Sequence, residues 1–219
     1  MGPQRVNFFL LGPPKTATTW IHRCLSEHPD VFVPDRDYVN FFNIHYSRGL
    51  DWYQSYYEDS LSDQIMGDTS QDYFQCEFAP RRIHDYNPCA RLICVLRNPI
   101  KRAYSHFWHL KSKQRISYDF NEVLEVYDLF KTWIEPGFYS RHLENYLEHF
   151  NRDQLLILFF DELQSDPQRF LKKIFDFLNI DTSIQPDTMD QKLNRARFKL
   201  DFKGKLYSGW IKTIAWLLN

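Results

Sequence analysis

The chain has 219 residues, with 27 Lys and Arg against 28 Asp and Glu, so its net charge is −1. No global field draws it to nucleic acid or to an anionic membrane. At that length it fits a single domain over 1–219, large enough for a sheet covered on both faces, and no apolar run suffices for a transmembrane segment or a signal peptide.

In chain order, the apolar run 6–11 is a strand that enters the turn Gly12-Pro13-Pro14-Lys15-Thr16-Ala17-Thr18-Thr19-Trp20 and then a helix over 18–28. Segment 35–57 is rich in aromatic residues and reads as irregular or short-helical. A strand at 64–67 leads to Gly67-Asp68-Thr69-Ser70-Gln71-Asp72-Tyr73-Phe74, followed by a helix over 76–86. The strand 91–96 precedes Arg97-Asn98-Pro99 and a helix over 99–113, in which Pro99 suits a first turn. Helices over 120–132 and 137–150, a strand over 154–160 and a helix over 167–178, capped by Asp166 before Pro167, complete the pattern. Continuous apolar strands such as Leu155-Leu156-Ile157-Leu158-Phe159-Phe160 need cover on both faces. The expected class is therefore α/β: three layers, with a mostly parallel sheet flanked by helices.

The four cysteines, Cys24, Cys76, Cys89 and Cys94, lack C-x-x-C spacing and read as free thiols of a cytoplasmic protein. His106 and His109 stand three apart on one helix, but no further ligand set with zinc spacing accompanies them, so no metal is expected.

A strand, a tight turn, a lysine and hydroxyls at a helix start present backbone N–H groups and positive charge to an anion. The turn is not a Walker A loop, because prolines rather than glycine precede Lys15. Arg97 offers a planar fork of donors to a second anion, and Ser105, two helical turns on, can add a hydroxyl.

These motifs, in this order and spacing, resemble the sulfotransferase family that uses 3′-phosphoadenosine 5′-phosphosulfate (PAPS), closer to its bacterial and glycosaminoglycan-type branch. Gly12 to Trp20 is similar to the family's 5′-phosphosulfate loop, with Ala17 in place of the usual glycine. Arg97-Asn98-Pro99 through Arg102 to Ser105 is similar to its 3′-phosphate motif. The resemblance implies a P-loop-NTPase-like sulfotransferase fold, and sulfuryl transfer from PAPS to a hydroxyl or amine of a small-molecule or carbohydrate acceptor, without metal. It implies cofactor contacts at Pro14, Lys15, Thr16, Ala17, Thr18, Thr19, Trp20, Arg97 and Ser105, with Lys203, Gly204 and Lys205 as a covering segment. Lys15 meets the charge growing on the leaving phosphate.

In the family a glutamate of a K-E-x-x-F-F-like motif takes the acceptor's proton. The corresponding stretch here is Asp37-Tyr38-Val39-Asn40-Phe41-Phe42, with tyrosine at that position. Asp37, His45 and Tyr38 are the candidate bases, and a chain with no base at all is the fourth option. Asp68, Ser70, Phe41 and Phe42 are the candidate acceptor contacts. Two other readings compete: a protein that binds PAPS or its product without transferring, and a P-loop kinase, against which the missing Gly-Lys-Ser/Thr order argues. The apolar stripe Trp210, Ile211, Ile214, Leu217 and Leu218 reads as a helix docked on the core, with the C-terminus truncated or shortened.

Overall fold

A computed structural model describes residues 5–36 and 38–191, so Asp37 and the C-terminal expectations, including Lys203, Gly204, Lys205 and the apolar stripe, lie outside the described residues. The described chain forms two compact units, one from the residues up to Leu96 with Ser140–Gln191 and one around Arg97–Tyr139.

The first unit is built on a five-stranded parallel sheet. Its strands are β1 (Phe8–Gly12), β2 (Val31–Phe32), β3 (Ile65–Asp68), β4 (Arg91–Leu96) and β5 (Leu155–Phe159), in the spatial order β2-β3-β1-β4-β5. β1 is buried along its whole length and β4 over 92–96, as central strands covered on both faces require. Flanking helices are α1 (Thr18–Ser26), the short α2 (Leu50–Gln54) and α3 (Ala79–Tyr86). Beyond the second unit come α7 (Tyr139–Leu147), α8 (Phe160–Ser165) and α9 (Pro167–Leu178). The expected α/β class with a parallel sheet is what the structure has.

The second unit contains α4 (Pro99–Ser112), α5 (Glu122–Glu125) and α6 (Tyr127–Trp133). Its core is Ala103, Phe107, Val123, Trp133 and Ile134. Four of the five strands match the expected segments, and β4 and α9 match at both ends. β2 was missed because two residues leave no period to read. The single helix expected over 120–132 is broken at Val126, whose backbone is extended (φ −108°, ψ 119°). No helix among the described residues is long and apolar enough to cross a membrane.

Candidate phosphate-binding and acceptor sites

The turn after β1 is held in an unusual backbone shape. Gly12 has φ 100°, and a Cβ there would lie 2.2 Å from the carbonyl oxygen of Gln71, so only glycine fits. Lys15 (φ 75°) and Ala17 (φ 69°) are also left-handed. Alternating hand around Thr16 turns successive amides toward one concavity, the arrangement of an anion-binding nest. The first turn of α1 then ends that concavity: Ala17 stands at its N-cap, no side chain caps it, and no acidic residue lies in it. No side chain therefore takes up its leading N–H groups.

Side chains of the turn divide between framework and site. The Thr16 hydroxyl donates to the Pro13 carbonyl (2.7 Å) and is fully buried. Thr18 Oγ1 donates to Gln71 Oε1 (2.9 Å), and the Trp20 indole N–H donates to the Thr188 carbonyl (3.2 Å). Thr188 in turn donates from its amide to Glu27 on the same α1 edge (3.0 Å). Thr16, Thr18 and Trp20, expected as cofactor contacts, thus spend their side-chain donors on the frame; of Thr18 the amide remains, along with half-exposed Lys15, Ala17 and Thr19. Pro14 is buried and has no amide to give. Below the turn, Phe74 N–H donates to the Leu11 carbonyl (3.2 Å) and the Cys94 thiol to the Gly12 carbonyl (3.3 Å). Gln71, which frames the turn twice, left no sequence signal because its role comes from the close approach at Gly12.

Asp68, at the end of β3, is fully buried and is the hub of the acceptor-side segment. Its Oδ2 accepts from the hydroxyls of Tyr53 (2.9 Å) and Tyr73 (2.8 Å), and its Oδ1 from the amide (2.9 Å) and hydroxyl (2.5 Å) of Ser70. Burial raises the carboxyl above the usual carboxylate range, and the bonds from Ser70, Tyr73 and Tyr53 pull it part of the way back. The network then reaches the 38–46 segment: Ser70 Oγ accepts from the Asn40 amide (2.9 Å) and the Tyr73 hydroxyl from the Phe42 amide (3.3 Å).

Asp68 and Ser70, expected either to contact the acceptor or to position Lys15, and Phe41 and Phe42, the other candidate acceptor contacts, are all interior, at most 1% exposed. Phe41 stacks on Tyr53 (centroids 4.6 Å apart) and Phe42 meets Phe9, Tyr53, Tyr73 and Tyr86 edge-on or tilted. Their apolar rings were already needed for the core, so they shape this segment from beneath. The groups of it that meet solvent are others. Tyr38 and His45 are half-buried, His45 lies against Trp52 (5.3 Å), and the Arg48 guanidinium covers the Trp52 ring at 4.9 Å. Arg82 lies 4.0 Å over Tyr46 and donates to the Phe42 carbonyl (2.8 Å).

In the second unit, α4 begins differently from α1. Asn98 caps it, its side chain accepting from the Lys101 amide (3.0 Å), and Pro99 follows without an amide. Asn98 and Pro99 leave fewer free amides here than α1 has, so an anion at this helix start would lean more on side chains. Arg97 and Ser105 are both half-buried, and the Tyr139 hydroxyl donates to the Arg97 carbonyl (2.8 Å). Arg102, given no role by the motif reading, is fully buried in the same helix.

No group of three or more His, Cys, Asp or Glu among the described residues could hold a metal ion, and all four cysteines are free.

The sulfotransferase domain family matches residues 5–204. The human bifunctional heparan sulfate N-deacetylase/N-sulfotransferase 2 is 34% identical over 192 residues, 79% of this chain and 22% of that protein. The mouse form 4 is 30% identical with the same coverage, so the chain spans about a fifth of the length of these relatives. Among solved structures, a sulfotransferase from Alicyclobacillus acidocaldarius is 27% identical with a TM-score of 0.77, covering 87% of each chain. A mouse sulfotransferase complexed with PAP, 19% identical over 84% of this chain and 61% of its own, has a TM-score of 0.53 and speaks for the fold. With a family match that runs from before β1 to beyond α9, the chain belongs to the sulfotransferase domain family.

Proposed function

We propose that residues 1–219 work as one sulfotransferase domain, transferring the sulfuryl group of PAPS to a hydroxyl or amine of a carbohydrate or small-molecule acceptor. The observation that carries this reading is the start of α1, where left-handed Lys15 and Ala17 precede a helix turn with neither a cap nor an acid. A 5′-phosphosulfate satisfies those amides and lies along the helix dipole.

In the reaction the acceptor's oxygen or nitrogen attacks sulfur in line with the bridging oxygen. The new S–O or S–N bond forms as the bond to the 5′-phosphate breaks, and the bridging oxygen leaves with its electron pair on 3′-phosphoadenosine 5′-phosphate (PAP). Negative charge grows on that oxygen, and Lys15 and the Thr18 and Thr19 amides are the donors assigned to it. Arg97 and Ser105 are assigned to the 3′-phosphate. The acceptor's proton passes to Asp37, Tyr38 or His45, and no step uses a metal. The heparan sulfate N-sulfotransferase relatives and the Arg48–Trp52 and Arg82–Tyr46 pairs, which combine an aromatic face with a cation, favour a carbohydrate acceptor. Free thiols at all four cysteines suit a reducing compartment, the cytoplasm.

Transfer of labelled sulfate from PAPS to an acceptor panel in the presence of a chelator tests the reading. Turnover on a saccharide is the expected result, and Arg97→Ala should weaken PAP binding before it slows the bound complex. A second reading, nucleotide binding without transfer, is favoured by Tyr38 standing at the glutamate position. PAP binding by calorimetry with no turnover on any acceptor would select it.

A further inference from the structure

A cleft of about 330 Å³ opens within the first unit, away from the site described above. Val6 and Met66, which line it, stand toward the starting ends of β1 and β3, whereas the turn assigned to the phosphosulfate follows the far end of β1. Six residues of extended chain, roughly 20 Å, separate Val6 from Gly12. Val6, Tyr57, Met66 and Tyr86 are the buried part of the lining; Gln54 and Ser60 are half-buried and Glu58 is exposed. Small-molecule pockets run from about 300 to 1,000 Å³, so the occupant of this one is compact.

Its polar groups are arranged to receive something. The Tyr86 hydroxyl accepts from the Val6 amide (3.0 Å) and from Gln54 Nε2 (3.2 Å), and its own O–H finds no acceptor among the described residues. The Ser60 hydroxyl donates to the Tyr57 carbonyl (2.7 Å), which leaves its lone pairs to accept. Glu58 makes no ion pair among the described residues, and the nearby Arg5 is spent on the Tyr86 carbonyl and ring. A carboxylate and a hydroxyl oxygen call for an ammonium, the Tyr86 O–H calls for an oxygen, and Val6, Tyr57 and Met66 call for an apolar body between them.

We propose that this cleft is a second binding site, for a small hydroxyl-bearing organic amine. The ammonium pairs with Glu58 and Ser60, the apolar body lies on Val6, Tyr57 and Met66, and the ligand's hydroxyl oxygen accepts from Tyr86. None of these residues is assigned to PAPS or to the acceptor, so the proposal stands or falls separately from the sulfotransferase reading.

NMR of the full chain with methyl-labelled methionine reads the site, because the chain has three methionines and Met66 alone lines the cleft. The probes are 2-amino-1-phenylethanol, phenethylamine, which lacks its hydroxyl, and 1-phenylethanol, which lacks its amine. The first should shift the Met66 signal to saturation and leave Met189 unmoved. Phenethylamine should bind about three- to ten-fold more weakly, for one lost hydrogen bond, and Tyr86→Phe should erase that difference between the two amines. Glu58→Gln should weaken both amines about two- to five-fold, the range for an exposed ion pair, and leave 1-phenylethanol unchanged. A Met66 signal that never saturates, or that moves together with Met189, would overturn the proposal. So would an alcohol that binds as well as the amine, an amine advantage that survives Glu58→Gln intact, or displacement of the probe by PAP. Should Tyr86→Phe not fold, the three probes on wild type and on Glu58→Gln decide in the same way.

Discussion

The starts of α1 and α9 are opposites. At α9, Asp166 accepts from the Arg169 amide (2.9 Å) and Pro167 occupies the first helical position, so the helix end is closed. At α1, Ala17 caps nothing, and both it and Lys15 are left-handed. A missing cap costs about 1 kcal/mol and each left-handed non-glycine residue about 1–2 kcal/mol, so the turn is a poor piece of local structure. It persists because the surroundings over-determine it: Gln71 against Gly12, Thr16 on Pro13, Thr18 on Gln71 and Cys94 on Gly12. Strain kept in place by so many contacts is a mark of function, and here it leaves amides open to an anion. The start of α4 is a third solution, with one amide taken up by Asn98 and one removed by Pro99, which suits the proposed recognition of an anion by the Arg97 and Ser105 side chains. On the proposed assignment the two phosphate sites follow different physics, one built largely from backbone and the other from side chains.

The sharpest break of the comparison is Lys15→Ala. If the open turn serves the transition state, this change lowers turnover about 100- to 1,000-fold, the loss expected for one preorganised donor. PAP affinity should change far less, because the amides remain. Single-turnover transfer from labelled PAPS reads the first quantity and calorimetry the second; turnover within ten-fold of wild type would remove Lys15 from the chemistry. Next in size is Gly12→Ala, which drives a Cβ into the Gln71 carbonyl and should cost about 3 kcal/mol in denaturant unfolding, from overpacking and a disallowed φ together. PAP binding should fall with it, since Gln71 carries Thr18.

The Asp68 hub sharpens the comparison from the acceptor side, because it shows the strain-bearing frame extending into the 38–46 segment. Its carboxyl is raised in the folded state, so the native protein holds that proton more tightly than the unfolded chain does. The associated stability is fully present below the ordinary carboxylate range and is lost as pH rises through the folded pKa. Asp68→Asn should flatten this part of the stability curve, and an identical slope in wild type and variant would show that Asp68 does not titrate there.

How much of this could be read in advance differs by residue. The sheet was legible because long apolar strands between amphipathic helices carry a strong period, and Asp166-Pro167 announces its cap and Pro99 its first helical turn in neighbouring positions. Lys15 and Arg97 stand out for the same reason, since the motifs from which their roles are proposed are local. Phe41 and Phe42 were ambiguous because a ring near a polar motif serves a core and an acceptor equally well in one dimension; the stacking of Phe41 and the edge-on contact of Phe42 with Tyr53 show the core role. Gln71 and Thr188 could not be found, since each acts by meeting residues 53 and 168 positions away. Arg102 was visible in the motif, but its complete burial is a property of three dimensions.

The smallest effects are a matched pair at the two helix starts proposed to bind anions. Asn98→Ala removes a side-chain cap and should cost about 1 kcal/mol, leaving PAP affinity near wild type if Arg97 and Ser105 do the binding. Ala17→Gly removes no cap and relieves a left-handed alanine, a gain of about 1 kcal/mol that the greater freedom of glycine in the unfolded chain offsets by about 0.4–1 kcal/mol. Stability should therefore stay level or rise slightly, with the amide direction and PAP affinity preserved. Urea unfolding of the pair is the measurement. Should Ala17→Gly instead destabilise as much as Asn98→Ala, the turn at α1 is not strained in the sense argued here, and its open amides need another explanation.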